Sequence, residues 1–557
     1  MCSFVIDLRI KHDGDHSMQK YIFVTGGVLS GVGKGVTTAS IAMLLQSMGY
    51  NVTAIKIDPY INVDAGTMNP YAHGEVFVTD DGGETDLDIG HYERFLGKNL
   101  SRKNNITTGQ VFLSVITKER KGEYLGQTVQ IIPHITNEIK SLIKEVVREQ
   151  NVDIALIEVG GTVGDIESLP FLEAVRQMRL EDGFKNTFFV HVALVPTLKT
   201  TGEQKTKPVQ HSVQELRRIG IQPDMIVVRC EKPLVDEAKR KIALYSNVPI
   251  EYVISNHDVD IVYEVPLTLY EQGIHKLIAQ RLELDYREPD LSKWINFVNK
   301  LKNANIEINI AMIGKYTKLK DSYLSIIEAV RHASAIIGAK TSFKWIESTE
   351  IEELENKEIM NHLNNVDAAI ILPGFGKRGT EGKIKAIKYL RENNIPTFGI
   401  CFGFQLMAIE FARNVIGLKD ANSSELEPST PQPVVDILPS QKNINFVGGT
   451  MRLGIRTIKL LKGTLVHRAY GSDIIAERHR HRYTINTKYV DLFENNGFKI
   501  SGISEDRDES VIEFMELTNH RFFIGTQAHP EFRSKPLNPS PIFVSFLETV
   551  LRYIRKP

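Results

Sequence analysis

The run Gly399-Ile400-Cys401-Phe402-Gly403 sets a cysteine between two glycines, just after the short apolar stretch Ile395-Pro396-Thr397-Phe398. That spacing fits a strand-turn-helix elbow, which lifts a nucleophile to the top of an α/β sheet. A thiol near its free pKa is mostly protonated at neutral pH. Attack on a carboxamide therefore needs a base in reach and a third group that holds the base's tautomer. His529-Pro530-Glu531 supplies both types. The two side chains share one face if Gly525-Thr526-Gln527-Ala528-His529 is a strand, and Pro530 stiffens the turn after it. A tetrahedral oxyanion also needs donors, and the Phe402 amide opens the helix that follows the elbow. The second donor is expected from Ile370-Ile371-Leu372-Pro373-Gly374-Phe375-Gly376, an apolar strand entering a glycine turn.

On these residues, the stretch from Ile306 to the C-terminus resembles the class I glutamine amidotransferases, which release ammonia from glutamine with a Cys-His-Glu triad. The resemblance implies an ammonia acceptor elsewhere in the chain.

The acceptor half opens at the apolar strand Tyr21-Ile22-Phe23-Val24-Thr25. The glycine-rich loop from Gly26 through Ser30, Gly31, Val32, Gly33, Lys34, Gly35 and Val36 to Thr38 follows, and it enters a helix over Ala39 to Met48. Such a loop turns consecutive amides onto phosphate oxygens at a helix N-terminus, with lysine reaching the outer phosphates. It departs from the strict phosphate-loop pattern, because Gly35 stands where Ser or Thr is usual. Asn51 to Asp58 and Val152 to Glu158 read as buried parallel strands, each ending in a carboxylate at the ligand crevice. With Asp88, these acids could hold Mg²⁺ on nucleotide phosphates. The segment Gly202 to Ser212 adds Lys205 and Lys207, with Lys241 further on, as point charges for a second phosphate group.

Longer strings extend the resemblance to residues 19 to 550: Ile57-Asp58-Pro59-Tyr60-Ile61-Asn62, His73 to Val78, Asp88 to Phe95, Gly160 to Ser168 and Glu477 to Tyr483. Here the chain resembles the CTP synthase family, which aminates UTP with glutamine-derived ammonia at the expense of ATP. The resemblance implies ATP at Gly31 to Val36, Asp88 and Arg229, with Mg²⁺ on Asp88 and Glu158. It implies UTP, and the inhibitor CTP, at Ser30, Asp165, Ile166, Glu167, Lys205, Thr206, Lys207, Pro208, Val209, Gln210 and Lys241. Glutamine would lie against Gly374, Phe402, Gly403, Phe404, Gln405, Glu425 and Arg482; the charges of Glu425 and Arg482 complement its ammonium and carboxylate. An internal ammonia channel and a homotetramer with UTP sites between subunits are also implied.

Three departures stand out. Pro373-Gly374-Phe375-Gly376 has one glycine fewer than the family's Pro-Gly-Gly-Phe-Gly, which leads to the expectation of a misplaced oxyanion donor costing about 3 kcal/mol. The loop Asp436 to Val447 is short, so the response to GTP as activator is expected to be weak or altered. Met1 to Ser17 precede the family-like start and read as an N-terminal extension, 1–18.

The 557-residue length exceeds one core, and two α/β domains with mainly parallel sheets fit. These are a phosphate-loop-like parallel-sheet synthetase over 19–284 and a class I glutaminase over 306–557. The polar stretch Asp285 to Asp290 and the helix-like Leu291 to Asn303 form a linker, 285–305. Lys+Arg 67 against Asp+Glu 68 points to neither nucleic acid nor membrane. Three dispersed cysteines fit a reducing, cytoplasmic compartment. Two other readings compete: another glutamine-using amidoligase, such as a cobyrinic acid diamide synthase, and a non-catalytic filament protein that keeps the fold.

Overall fold

Apolar runs alternating with helical stretches fold, in a computed structural model, into two α/β halves that meet through ion pairs and aromatic contacts. The structure describes residues 19–554 apart from 316, 443, 445, 446, 507 and 508, so the N-terminal extension and part of the 436–447 loop lie outside the described residues.

The first half is a seven-stranded sheet. Its order is Asn105–Thr107, Val52–Asp58, Ile154–Val159, Lys20–Gly26, Thr187–Val195, Met225–Cys230 and Val253–His257, and every neighbouring pair is parallel. Its strands are buried almost throughout, as two-sided helix cover requires. The glycine loop leaves the central strand and enters the helix Lys34–Ser47, which starts earlier than the sequence reading placed it. In the 285–305 stretch, the helix Ser292–Lys302 is part of this half's packing: Trp294, Phe297 and Val298 are buried, and the Trp294 indole donates to Tyr263 O at 2.7 Å.

The second half carries a nine-stranded sheet that is mixed, where mainly parallel strands were expected. Ala339–Glu347, Ile306–Gly314, Ala368–Ile371, Thr397–Ile400 and Phe523–Thr526 are parallel. Beyond them, Glu509–Leu517, Phe498–Asp506, Arg452–Leu460 and Ile474–His481 run antiparallel to their neighbours. The antiparallel wing holds alternating arginines and histidines. His479 and His481 turn into its interior, while Arg478 and Arg480 reach across to the first half. No helix among the described residues is long and apolar enough to cross a membrane.

Candidate active sites

Cys401 caps the helix Phe402–Phe411 at φ 52°, ψ −105°, a conformation that costs a non-glycine residue free energy and is held here by its surroundings. Both flanking glycines are required by close approach. A Cβ on Gly399 would lie 2.2 Å from Met407 Sδ, and one on Gly403 would lie 2.2 Å from Ile371 O. The helix therefore packs against the strand floor with the thiol at the turn, and Gln527 Nε2 stands 3.6 Å from its sulfur.

His529 Nδ1 lies 2.6 Å from Glu531 Oε1, both side chains buried. The contact arises differently from the sequence expectation. The strand ends at Thr526, and His529 caps a short 3₁₀ turn, Pro530–Arg533, whose first residue has no N–H to lose. Burial disfavours the imidazolium, yet Glu531, and after it Cys401, raise His529 to about 10. Its Nε2 is buried without a formed hydrogen bond among the described residues, while Cys401 is near enough to favour the imidazolium.

A cavity of about 250 Å³ joins Cys401, His529 and Glu531 to Pro373, Gly374 and Phe375 of the expected oxyanion turn. Gly66, Thr67, Met68, Glu75 and Val76 of the first half line it too. Glu75 is buried, accepts from Ser325 N at 2.8 Å across the domain junction, and is pushed up to about 7 by burial against the pull of Arg94. Arg480 also lines the cavity; it pairs with Glu84 at 2.8 Å and lies over the Phe375 ring at 5.2 Å. Sequence reasoning missed Glu75 and Arg480. Arg482 donates to Gln441, Val447 O and Thr450 and so joins the short loop. Glu425 accepts from Gly376 N at 2.8 Å beside the cavity. Gln405 keeps a buried Oε1 without a hydrogen bond among the described residues, and Phe402 and Phe404 pack in the core.

In the other half, Gly35 explains its departure from the phosphate-loop pattern. A Cβ there would fall 1.8 Å from Asp88 Oδ1, so the carboxylate occupies the space a Ser or Thr would need. Lys34 is buried along Gly26 and donates to Gly161 O at 2.8 Å. The Arg229 stem packs on Gly33, and its guanidinium pairs with Asp258. Lys56, also unforeseen, is surrounded by Asp58, Asp86, Asp88 and Glu158, the first two at 3.5 and 3.1 Å and the last at 3.7 Å. Burial, together with the neighbouring carboxylates, pushes Asp86 and Glu158 up. Four carboxylates facing Lys56 and Lys34 leave an excess of acid, and among the described residues no three of them converge as a complete cage. This suits Mg²⁺, which takes one or two carboxylates and completes its shell with phosphate and water.

Lys205, Thr206, Lys207, Gln210 and Lys241 line one cleft of about 610 Å³. Pro208 begins the helix Lys207–Arg218, whose Val209 side chain is buried in the core. Asp165, Ile166 and Glu167 stand elsewhere on an exposed turn, Ile166 being 80% exposed.

Residues 20–284 match the family described as CTP synthase N-terminus, and residues 318–549 match Glutamine amidotransferase class-I. The CTP synthase of Sulfolobus acidocaldarius is 61% identical over 95% of this chain and 99% of its own length. This chain belongs to the CTP synthase family. The CTP synthase of Aeropyrum pernix is 60% identical over 96% of the chain and 99% of its own. The solved glutaminase domain of Trypanosoma brucei CTPS with bound acivicin is 33% identical over 44% of this chain and 94% of that one, with a TM-score of 0.42. As a CTP synthase family member, the chain is a glutamine-hydrolysing ligase that makes CTP from UTP.

Proposed function

We propose that residues 306–557 hydrolyse glutamine at Cys401 while residues 19–284 phosphorylate and aminate UTP, with 285–305 between them. The observation that carries this reading is the cavity shared by Cys401, His529 and synthetase residues Gly66 to Val76. Cys401 attacks the carboxamide as thiolate, the oxyanion takes the Phe402 and Gly374 amides, and His529 returns the proton to the departing ammonia. Glu531 holds the imidazole in place through its Nδ1 contact. Water then cleaves the thioester. Ammonia released into the shared cavity meets residues of the first half directly.

There, Gly31 to Val36, Lys34 and Arg229 position ATP, and its γ-phosphoryl group passes to O4 of UTP. Ammonia attacks C4 and phosphate leaves. Asp88 and Glu158 would hold Mg²⁺, which supplies charge neutralisation on the phosphates when bound. The Lys205 to Gln210 and Lys241 cleft takes the UTP triphosphate. Asp165 to Glu167 lie outside that cleft, so a homotetramer in which a second copy supplies them accounts for both groups. Exposed Ile61, Leu113, Ile116, Leu125 and Ile166 favour such an assembly. CTP inhibition at the triphosphate cleft, a weakened GTP response and a cytoplasmic location complete the reading.

The test is CTP formation from UTP, ATP and Mg²⁺ with glutamine or ammonia, alongside Cys401→Ala. Loss of glutamine use alone in the variant supports the coupled reaction; no CTP from either source overturns it.

A further inference from the structure

Two buried lysines meet the turn that was expected to have lost its oxyanion donor. Lys383, on the helix Thr380–Glu392, is 1% exposed and donates to Leu372 O at 2.6 Å. Lys315, at the end of the strand Ile306–Gly314, donates to Phe375 O and, at 3.1 Å, to Gly376 O. Neither forms an ion pair with a carboxylate among the described residues, an arrangement that a protein interior tolerates poorly unless carbonyls satisfy the ammonium. Their Nζ atoms lie 5.3 and 5.9 Å from the centre of the Phe402 ring, the residue directly after the nucleophile.

The turn's hydrogen bonds are therefore nearly all assigned. Leu372 N donates to Ile313 O at 3.0 Å, Gly376 N donates to Glu425, and Pro373 has no N–H. The Gly374 and Phe375 amides make no hydrogen bond among the described residues, and both residues line the Cys401 cavity. The lysine-bound carbonyls bracket these two free amides from either side.

Resting on the glutaminase reading above, we propose that Lys383 and Lys315 are positioning residues for glutamine hydrolysis. They pin the Leu372–Gly376 turn so that the Gly374 amide serves the oxyanion, and they place positive charge beside the Cys401 thiolate. They do for this proline-bearing turn what an extra glycine amide would otherwise do. Supporting this, burial lowers Lys383 to about 7, with Lys315 acting the same way and Cys401 and Glu347 opposing. Lys315 is likewise lowered by burial and Arg378, against Glu425, Glu347 and Glu352. Burial that disfavours the ammonium is offset as the Cys401 thiolate forms beside it.

The test compares Lys383→Met with the unmodified protein in three measurements. These are glutamate release, ammonia-supported CTP formation and the pH profile of Cys401 alkylation by iodoacetamide, in a site that the charges of His529, Lys315, Arg378 and Glu347 also face. The expected result is a fall of roughly tenfold to a hundredfold in kcat for glutamine, less than the roughly hundredfold to thousandfold that complete removal of an oxyanion donor costs. KM stays nearly constant, ammonia-supported synthesis is retained, and the alkylation midpoint moves to higher pH. Equal losses with both nitrogen sources, or an unchanged kcat and alkylation profile, overturn the proposal. Should Lys383→Met fail to fold, Lys315→Met decides by the same criteria. Absence of glutamate release from the unmodified protein would instead sink the glutaminase reading itself.

Discussion

The amide of His529 donates to the carbonyl of Arg478 at 2.8 Å, so the imidazole hangs from a strand whose arginine is locked into the other half. The Arg478 guanidinium is fully buried, paired with Asp80 at 2.5 Å and Glu93 at 3.0 Å, and donates to Val78 O at 3.0 Å. Arg478→Met strands the buried Glu93 carboxylate, and the expected loss of stability is about 3–5 kcal/mol. Glutamine-supported synthesis should fall further than ammonia-supported synthesis, because only the former needs His529 in place. Denaturant unfolding and the two assays check both parts.

Gly35→Ser restores the common phosphate-loop residue and should nevertheless damage the enzyme. The new Cβ would meet Asp88 Oδ1 at 1.8 Å. Forcing that carboxylate aside costs about 1–3 kcal/mol, or roughly tenfold to a hundredfold in CTP formation from either nitrogen source. Glutamate release should persist, and measuring it beside CTP separates the two sites.

Lys56→Met removes the cation among Asp58, Asp86, Asp88 and Glu158. The uncompensated acids should lower the melting temperature and make it respond more strongly to Mg²⁺ than in the unmodified chain. A thermal titration with Mg²⁺ against Ca²⁺ reads this directly, and an equal Mg²⁺ response in both proteins contradicts it.

The His529–Glu531 contact carries a pH signature. His529 is raised from 6.5 to about 10 in the folded chain, so its stabilising contribution is complete below pH 6.5 and disappears as pH rises through about 10. Glu531→Gln removes the main cause of that elevation. The stability gap between the two proteins should be wide near neutral pH and close toward pH 10 in chemical denaturation. Glutaminase kcat in the variant should fall on the order of a thousandfold or more, as when a triad's orienting carboxylate is neutralised.

The nucleophile elbow was legible because its requirement restricts residue type: a Cβ on either glycine beside Cys401 would lie 2.2 Å from Met407 Sδ or Ile371 O, so only glycine fits. His529 and Glu531 were legible as types, but their contact depends on a strand that stops at Thr526 and a 3₁₀ turn, a difference of a few backbone angles. Arg480 was out of reach. The Arg-His alternation marks a shared face, yet what that face meets, Glu84 and Gly66, belongs to another domain and leaves no nearby trace. Lys56 was hidden for the opposite reason, since a charged residue within an apolar strand only makes sense once acids from three segments close around it. The parallel sheet of the first half followed from its apolar runs. The antiparallel wing of the second did not, because its strands break the apolar pattern with charged residues such as Arg478 and Arg480, whose partners lie in the first half.

Arg478 also decides how the molecule comes apart. Neither half can lose its structure without breaking the contacts of Arg478 with Asp80, Glu93 and Val78 O and exposing the junction. The two halves should therefore absorb heat in a single calorimetric peak, and a protease clip at the exposed 285–290 stretch should leave both fragments travelling together through a sizing column.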